Sequence, residues 1–278
     1  MPALLDLIRP HQWLKNGFVL AGLVFSQRWG DPELLRAVLM AFAAFCFTAS
    51  VVYIVNDWRD RAQDAQHPTK RRRPLASGTV APRQAVAVGA LLAALAVAAA
   101  WDNAALQVLL ALYVISNLGY SWGLKHVPVV DVFIIASGFM LRLLAGTAAV
   151  GIPPSRWLLL TGLFVALFLG FAKRRAETQH DEASRRAVMK HYPPALLDTF
   201  VASTMTAAVL TYGLFATSPE SLLQHGERLV YTVPVVAFGM LRYTYRVHLG
   251  HGEDVSRDLL RDPWILGALT VWLAVFLV

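Results

Sequence analysis

The segment NDWRDRAQDAQHPTKRRRPLASG, residues 56–78, is the most polar stretch of an otherwise very apolar chain. It opens with an amide and two carboxylates, Asn56, Asp60 and Asp64, which are spaced four residues apart and would share one face of a helix. Four consecutive cations follow at residues 70–73. Carboxylates that hold Mg²⁺, next to cations that bind phosphate, predict a site for a substrate that carries a pyrophosphate.

Each half of this segment also has a simpler interpretation. Acidic residues at the end of a helix can be merely solvated, but carboxylates there oppose the helix dipole unless a cation compensates them, which favours a metal supported by Asp57. A run of cations often serves only to orient a membrane protein. Here Pro68 and Pro74 stiffen the backbone on both sides of the run, which favours a formed phosphate site. The phosphate ligands predicted from this run are Lys70, Arg71 and Arg73.

The composition indicates an integral membrane protein. The chain has 278 residues, of which 56% are apolar and only 15% are charged, with a mean hydropathy of +0.50. Soluble domains average about 25% charged residues. The formal charge of +7 favours membrane lipid head groups and phosphorylated substrates over nucleic acid, because the hydropathy places the chain in a bilayer.

Apolar runs near 20 residues recur along the whole chain and predict an all-α, polytopic membrane bundle, with residues 1–278 as a single domain. Nine spans are expected, or eight if the short first one does not count. Proline after Asp31, Ala81 and Asp262 predicts the start of a helix at each of these points. The expected spans are 14–28, 33–56, 82–101, 103–120, 129–150, 155–172, 194–217, 229–249 and 262–278.

The distribution of charge predicts the orientation of the bundle. If the N-terminus is cytoplasmic, 20 of the 25 Lys and Arg residues fall on the cytoplasmic side. The polar loops then all lie on that side of the inner membrane, which predicts a polar cavity that opens to the cytoplasm. A transporter would need polar groups through the depth of the membrane, so this one-sided layout favours an enzyme or a binding site at the membrane surface.

Further candidate residues lie outside the central segment. Lys15 lies where the first span opens, and there an interfacial anchor is the simpler interpretation. Tyr120 and Lys125 lie in a short cytoplasmic turn. Asp131 and Arg142 are eleven residues apart, so they face the same way on a helix, about 16 Å apart along its axis. A charge within the membrane indicates either a structural ion pair between helices or an anion contact that lines the cavity.

Another polar group ends the sixth span. Lys173, Arg174 and Glu177 lie within one helical turn or just beyond it, and Lys173 and Glu177 share a face. They either only set the membrane orientation of the helix, or they line a second side of the same cavity and would bind the far end of the substrate.

These motifs resemble the UbiA superfamily of intramembrane prenyltransferases. The superfamily pattern is NDxxDxxxD at 56–64 followed by RPLASG at 73–78. The match is closer to the decaprenyl-phosphate phosphoribosyltransferases, because of RPHQWLKN at 9–16, HPTKR at 67–71, YSWGLKHVPVVD at 120–131 and AKRRAE at 172–177. The resemblance covers nearly the whole chain.

The resemblance implies a nine-helix bundle in which phosphoribosyl pyrophosphate is the donor and a polyprenyl phosphate is the acceptor. It implies Mg²⁺ and pyrophosphate at Asn56, Asp60 and Asp64, with Asp57 in support, and makes Asp57, Asp60 and Asp64 the expected catalytic residues. It also implies that the product feeds arabinose-type sugar donors. The implied phosphate-binding residues are Lys15, Lys70, Arg73, Lys173 and Arg174, and the residues that would shape the donor pocket are Tyr120, Lys125 and Glu177.

One departure from the superfamily pattern bears on the substrate. Members that use a prenyl diphosphate usually carry a second aspartate-rich motif near the end of the sixth span, where this chain reads AKRRAETQH at 172–180. This favours a donor with one pyrophosphate and a separate phosphate. The alternatives are an aromatic prenyltransferase that uses a polyprenyl diphosphate, and a lipid or polyprenyl-phosphate transporter. Acceptor chain length and oligomeric state stay open.

Overall fold

A computed structural model of the chain describes residues 2–26, 28, 30–68, 70–179, 187–252 and 261–277. This part of the chain consists of helices joined by turns and contains no strand. The α-helices are α1 (Pro2–Ile8), α2 (Ala21–Ser26), α3 (Pro32–Arg59), α4 (Arg61–Gln66), α5 (Pro82–Ala99), α6 (Ala104–Trp122), α7 (Val130–Val150), α8 (Arg156–Glu177), α9 (Pro194–Ala216), α10 (Pro219–His225), α11 (Val233–His248) and α12 (Pro263–Leu277). Five 3-10 helices connect them, at Pro10–Leu20, Lys70–Arg72, Leu124–His126, Ala187–His191 and Gly226–Thr232.

Six of the helices are long and apolar enough to cross a membrane, namely α3, α5, α6, α7, α8 and α9. The predicted all-α membrane fold is therefore confirmed. Helices α11 and α12 match two further predicted spans but have only 16 and 15 residues. A straight crossing of the hydrocarbon core takes about 20 residues. The count of nine spans stays a prediction.

The predicted helix starts at proline are confirmed. Asp31 caps α3, because its side chain accepts hydrogen bonds from the backbone of Glu33 and Leu34. Asp262 caps α12 in the same way, with backbone donors at 3.0 and 3.1 Å. At the start of α5, the backbone N–H of Ala81 donates to the Gln84 side chain at 3.0 Å. These caps satisfy groups that every helix end leaves unpaired.

The first predicted span, 14–28, differs from the structure. The chain forms an eleven-residue 3-10 helix at Pro10–Leu20 and then the short α2. A 3-10 helix of this length is unusual, because its hydrogen-bond geometry is poorer than that of an α-helix. Side-chain tethers hold it: Trp13 Nε1 donates to Ser50 Oγ at 3.0 Å, and the Asn16 side chain is bound on both sides. Hydropathy alone does not reveal such tethers.

The chain divides into two compact units. The first unit comprises residues 1–122 and 141–153. Here α3 is central and packs against α5, α6, α1 and the 3-10 helix at Pro10–Leu20. Gly22 and Gly146 allow the closest backbone approach, since a Cβ on Gly146 would lie 1.9 Å from the Val19 carbonyl oxygen.

The second unit comprises residues 123–140 and 154–278. Helices α8 and α9 pack along one another, and α11 packs against α12. Its core includes the buried rings of Phe168, Phe171 and Tyr243. Val132 packs closely against α8, because a Cβ on Gly170 would lie 2.6 Å from its side chain. The single-domain interpretation of residues 1–278 stays a prediction.

Candidate active site

The carboxylate cluster, defined as Asn56, Asp57, Asp60 and Asp64, lies where α3 passes into α4, and Asp60 alone separates the two helices. Backbone hydrogen bonds continue across this joint. The N–H of Asp60 donates to the carbonyl of Asn56 at 2.9 Å, and the N–H of Asp64 donates to that of Asp60 at 2.8 Å. The four-residue register of the helix is therefore kept, as the sequence spacing predicts.

Asp57 is buried and is neutralised by two arginines. Arg9 Nη2 donates to both carboxylate oxygens at 2.8 and 2.7 Å, and Arg73 Nη1 donates to Oδ1 at 3.0 Å. The Arg9 guanidinium also lies over the Tyr53 ring, 5.2 Å from its centroid. A buried charge has to be paired. The geometry therefore makes Asp57 the residue that holds the two guanidiniums, and its predicted catalytic role stays a prediction.

Arg9 itself has a left-handed backbone, with φ 53° and ψ 60°. This conformation costs an L-residue about 1–2 kcal/mol. The ion pair with Asp57, whose side chain is only 2% exposed, offsets that cost. The turn at Arg9 is what redirects the chain from α1 into the long 3-10 helix.

Arg73 bridges the two ends of the carboxylate cluster. The same Nη1 that contacts Asp57 donates to Asp64 Oδ2 at 2.7 Å. Asp64 is almost fully buried, with 5% of its side chain exposed, whereas 29% of the Arg73 side chain is exposed. The guanidinium therefore has one side on the carboxylates and another that solvent or a ligand can reach.

Buried side chains anchor the loop that follows Arg73. Leu75 and Val80 are buried in one apolar cluster with Leu7 of α1 and Ile54 of α3. Gly78 takes a φ of +77°, which side-chain-bearing residues rarely adopt. In the RPLASG motif, Arg73 is therefore followed by the buried Leu75 and by a tight turn at Gly78.

Asn56 and Asp60 are the members of the cluster that face no arginine in the described part of the chain. The Asn56 side-chain oxygen accepts a hydrogen bond from Ser121 Oγ at 2.7 Å, which orients the amide. The Asp60 carboxylate is half-buried and has no partner among the described residues. These two groups, with the second oxygen of Asp64, are the oxygen donors available to a cation.

This donor set fits a magnesium ion that substrate phosphate completes. Among the described residues, no three His, Cys, Asp or Glu side chains form a group that could hold a metal by themselves. Mg²⁺ usually takes one or two protein carboxylates and fills its octahedron with water and substrate phosphates. The amide oxygen of Asn56 and the carboxylates of Asp60 and Asp64, along one helical face, match this coordination preference.

The other candidate residues of the first unit lie at different depths. Lys70 and Arg71 are exposed on the 3-10 helix at Lys70–Arg72. Tyr120 is half-buried near the end of α6, next to Ser121. Lys15 is half-buried, and the 3-10 repeat of three places it on a different face from the buried Asn16.

Arg142 is buried in a polar network within the first unit. Its Nε donates to Asn16 Oδ1 at 2.6 Å, and its Nη2 donates to Tyr113 OH at 3.1 Å. The guanidinium also lies 4.7 Å from the centroid of the Tyr113 ring and 5.7 Å from that of Phe45. Asn16 in turn donates to Cys46 Sγ at 3.2 Å. Arg142 therefore ties the 3-10 helix to α6 and α7.

The second unit contains a separate network, named here the Tyr192 network, formed by Val129, Asp131, Arg174, Glu177 and Tyr192. Asp131 is fully buried; its Oδ2 accepts from Arg174 Nε at 2.8 Å and its Oδ1 accepts from Tyr192 OH at 2.7 Å. Arg174 Nη1 donates to Glu177 Oε2 at 2.7 Å. The partner of Asp131 is thus Arg174 of the next helix, which supports the interpretation of Asp131 as part of a structural ion pair.

Tyr192 also accepts a hydrogen bond from the backbone N–H of Val129. Burial raises the pKa of the Tyr192 hydroxyl, the Val129 contact lowers it and the hydrogen bond to Asp131 raises it, so that the pKa lies at about 12. The hydroxyl therefore stays protonated and can donate to Asp131 at every physiological pH. Lys125 and Lys173 flank this network and are both half-buried.

Sequence reasoning did not select several residues that the structure brings into these networks. Arg9 contacts Asp57 from 48 positions away, and Ser121 contacts Asn56 from 65 positions away. Tyr192 reaches Asp131 from 61 positions away. The one available signal was the position of Arg9 in RPHQWLKN, directly before a proline that opens a helix.

Comparison with known proteins places this arrangement in a family. The model of the UbiA prenyltransferase family matches residues 17–266. The chain belongs to the UbiA prenyltransferase family. It is 35% identical over 286 residues to the decaprenyl-phosphate phosphoribosyltransferase of Corynebacterium glutamicum, an alignment that covers 97% of this chain and 84% of that protein. The enzyme of the same name from Mycolicibacterium smegmatis is also 35% identical, with 97% and 90% covered.

A solved structure supports the fold independently. The UbiA homolog from Archaeoglobus fulgidus bound to DMAPP and Mg²⁺ superposes with a TM-score of 0.74, covering 98% of this chain and 96% of that one, at 20% sequence identity. The predicted UbiA-type fold is confirmed, and so is the predicted enzyme class: the chain is a transferase of an integral membrane family.

Proposed function

We propose that this UbiA-family protein transfers the 5-phosphoribosyl group from phosphoribosyl pyrophosphate to a polyprenyl phosphate of the decaprenyl type, and releases pyrophosphate. The observation that carries the proposal is the 35% identity, over nearly the full chain, to proteins named decaprenyl-phosphate phosphoribosyltransferase. The absence of an aspartate-rich motif at 172–180 supports the same donor. Mg²⁺ is the proposed cofactor.

In the proposed reaction, a phosphate oxygen of the lipid attacks C1 of the ribose while the bond from C1 to the pyrophosphate oxygen breaks. The lipid phosphate is already ionised, so no strong general base is required. Pyrophosphate leaves with the bonding electron pair, and C1 is inverted. Charge grows on the departing pyrophosphate in the transition state, so fixed cations around it lower the barrier.

The carboxylate cluster is the proposed metal and pyrophosphate site. Asn56, Asp60 and Asp64 would hold Mg²⁺, which when bound supplies positive charge to the pyrophosphate oxygens. Ser121 orients the Asn56 amide, and Arg73 fixes Asp64 while one side of its guanidinium stays accessible. In this proposal, Arg73 would hold a metal ligand and face a phosphate.

The remaining proposed phosphate contacts are cations of the other polar segments. Exposed Lys70 and Arg71 carry charge beside the carboxylate cluster, and Lys15 lies on the 3-10 helix next to Asn16. Arg174 is held by Asp131 and Glu177, so its proposed role is to orient Glu177 within the donor pocket. Tyr120, Lys125 and Lys173 complete the proposed donor contacts, and Arg142 is proposed to line the site.

The proposed location is the inner membrane, with the N-terminus and the active site on the cytoplasmic side. The charge asymmetry of the loops supports this orientation. The polyprenyl tail would lie in the bilayer. The proposed product would then supply an enzyme class that converts lipid-linked phosphoribose into an arabinose-type donor.

The test is a donor comparison with the purified protein in lipid nanodiscs. One reaction contains labelled phosphoribosyl pyrophosphate and decaprenyl phosphate, and a second contains a labelled polyprenyl diphosphate and a phenolic acceptor. The expected result is a product only in the first reaction, with the mass of a decaprenyl phosphoribosyl phosphate, and equimolar pyrophosphate. EDTA should abolish transfer, and added Mg²⁺ should restore it.

The site assignment is tested with Asp60→Asn combined with Asp64→Asn, which should abolish transfer in a folded protein. Asp102→Asn is the matched control, because Asp102 is an exposed carboxylate in the turn between α5 and α6. Transfer by the double variant at the rate of the control would refute the site. A product only in the second reaction would instead assign an aromatic prenyltransferase, and no pyrophosphate with any donor would indicate a transporter.

A further inference from the structure

The loop between α6 and α7 has an energetically unfavourable backbone. Val129 adopts φ 70°, and it is one of only two non-glycine residues with a positive φ in the described part of the chain. A β-branched residue is a genuine outlier in this region. Such a conformation persists only where surrounding contacts determine it, and it is typical of functional sites.

The contacts that determine this backbone come from Tyr192. Its hydroxyl accepts from the Val129 N–H and donates to Asp131, which lies in the first turn of α7. The Tyr192 side chain is buried, and the 3-10 helices at Leu124–His126 and Ala187–His191 lie against one another. One hydroxyl therefore fastens the loop 123–131 at two points to the segment before α9.

The same network continues into α8. Asp131 holds Arg174, and Arg174 holds Glu177. A hydrogen-bonded chain thus runs from the backbone of Val129 to the carboxylate of Glu177. Lys125, which lies in the fastened loop, and Glu177 are both proposed donor contacts.

We propose that Tyr192 is a positioning residue for the donor: it holds the strained loop 123–131 so that Lys125 faces the donor phosphate. This inference rests on the proposed function for the identity of the donor. Tyr192 acts through the loop and does not touch the substrate. Its hydroxyl is irreplaceable in this role, because one group has to accept from Val129 and donate to Asp131 at the same time.

The test is a double-mutant cycle of Tyr192→Phe and Lys125→Met in nanodiscs. Tyr192→Phe should raise the KM for phosphoribosyl pyrophosphate about three- to tenfold, the equivalent of one hydrogen bond, with little change in kcat. In the Lys125→Met background the same substitution should change that KM by less than about twofold, because the two residues act as a unit. Equal effects in both backgrounds would overturn the proposal.

Tyr212→Phe is the matched control. It removes another buried hydroxyl of the second unit, which is hydrogen-bonded to Thr232 and Trp272 at 2.6 and 2.7 Å. It should lower thermal stability in the way that Tyr192→Phe does but leave the KM of the donor unchanged. A Tyr192→Phe variant that behaves like this control would show a purely structural role.

Hydrogen–deuterium exchange gives a measurement that does not depend on the donor. Tyr192→Phe should accelerate exchange of the amides in 123–131, whereas Tyr212→Phe should not. Unchanged exchange there would refute the positioning role even if transfer is slowed. Faster exchange in a protein that does not use phosphoribosyl pyrophosphate would keep the positioning role and reject the proposed function.

Discussion

Replacement of Arg73 by alanine is the perturbation that the carboxylate cluster makes most informative. Arg73 Nη1 is the only group in the described residues that contacts both Asp57 and Asp64, at 3.0 and 2.7 Å. Asp57 keeps Arg9 as a partner when Arg73 is lost. Asp64, which is nearly fully buried, loses the one ion pair that the structure gives it.

The expected loss of folding stability in Arg73→Ala follows from these two contacts. A hydrogen bond to a charged group contributes about 1.5–3 kcal/mol, so the two bonds set a ceiling of about 3–6 kcal/mol. Two features lower this value: 29% of the Arg73 side chain is exposed to solvent, and Arg9 still neutralises Asp57. We expect Arg73→Ala to lose about 2–3 kcal/mol of stability, at or just below the lower end of the about 3–5 kcal/mol that breaking a fully buried ion pair costs.

The assay is thermal unfolding of the purified protein in one detergent, with the tryptophan emission as the signal. With about 2–4 °C per kcal/mol, the expected decrease in Tm is about 4–12 °C. Transfer activity should fall about 10–100-fold, as when a group that supports a metal ligand is removed. Arg72→Ala is the matched control, because Arg72 is an exposed neighbour in the same run of cations.

Arg73→Lys separates charge from geometry. A lysine ammonium keeps the charge, but it is a flexible, strongly hydrated point charge and lacks the rigid guanidinium that holds Nη1 between the two carboxylates. We expect it to recover about half of the lost Tm. If Arg73→Ala lowers Tm no more than Arg72→Ala does, then Arg73 does not bridge Asp57 and Asp64, and the reasoning is refuted.

Three further predictions concern other parts of the chain. Gly146→Ala should prevent normal expression of folded protein, because the added Cβ would lie 1.9 Å from a carbonyl oxygen. Gly213→Ala is the control: nothing lies within 4 Å of its Cβ, so it should be neutral or stabilising. The size-exclusion profile and Tm of both variants test this prediction. The hydrogen bond from Arg242 lowers the pKa of Asp262, so this contact stabilises the fold above the ordinary pKa of about 4 and is lost as the pH falls below it. Asp262→Asn should therefore lower Tm at pH 7 and flatten its decline between pH 5 and 3. Ser121→Ala should raise the Mg²⁺ concentration for half-maximal transfer by about three- to tenfold, the equivalent of one hydrogen bond. Its Tm should change little. An unchanged Mg²⁺ concentration for half-maximal transfer would mean that the Asn56 amide needs no orientation by Ser121.

The parts of the fold that the sequence predicts are those governed by local rules. Prolines after Asp31, Ala81 and Asp262 mark helix starts because the ring fits the first turn of a helix. The four-residue spacing of Asn56 and Asp60 survives the joint between α3 and α4, because the backbone hydrogen bonds cross it. Apolar runs of membrane length mark the six long spans.

The parts that the sequence does not predict depend on contacts between distant residues. Asp131 and Arg142 face the same way along α7, yet each pairs elsewhere: Asp131 with Arg174, and Arg142 with Asn16 and Tyr113. The reason is that about 16 Å of helix separates them, far beyond the reach of an ion pair. Periodicity specifies a direction around a helix axis but does not specify the partner.

Charge compensation explains why a single metal suits the carboxylate cluster. Of its three carboxylates, Asp57 and Asp64 already have guanidinium partners, and only Asp60 has none among the described residues. Asp60 is therefore the carboxylate left to bind a divalent ion, beside the oriented amide of Asn56. A site with one such ion and several fixed cations matches a donor in which a single pyrophosphate departs and the second phosphate only has to be held.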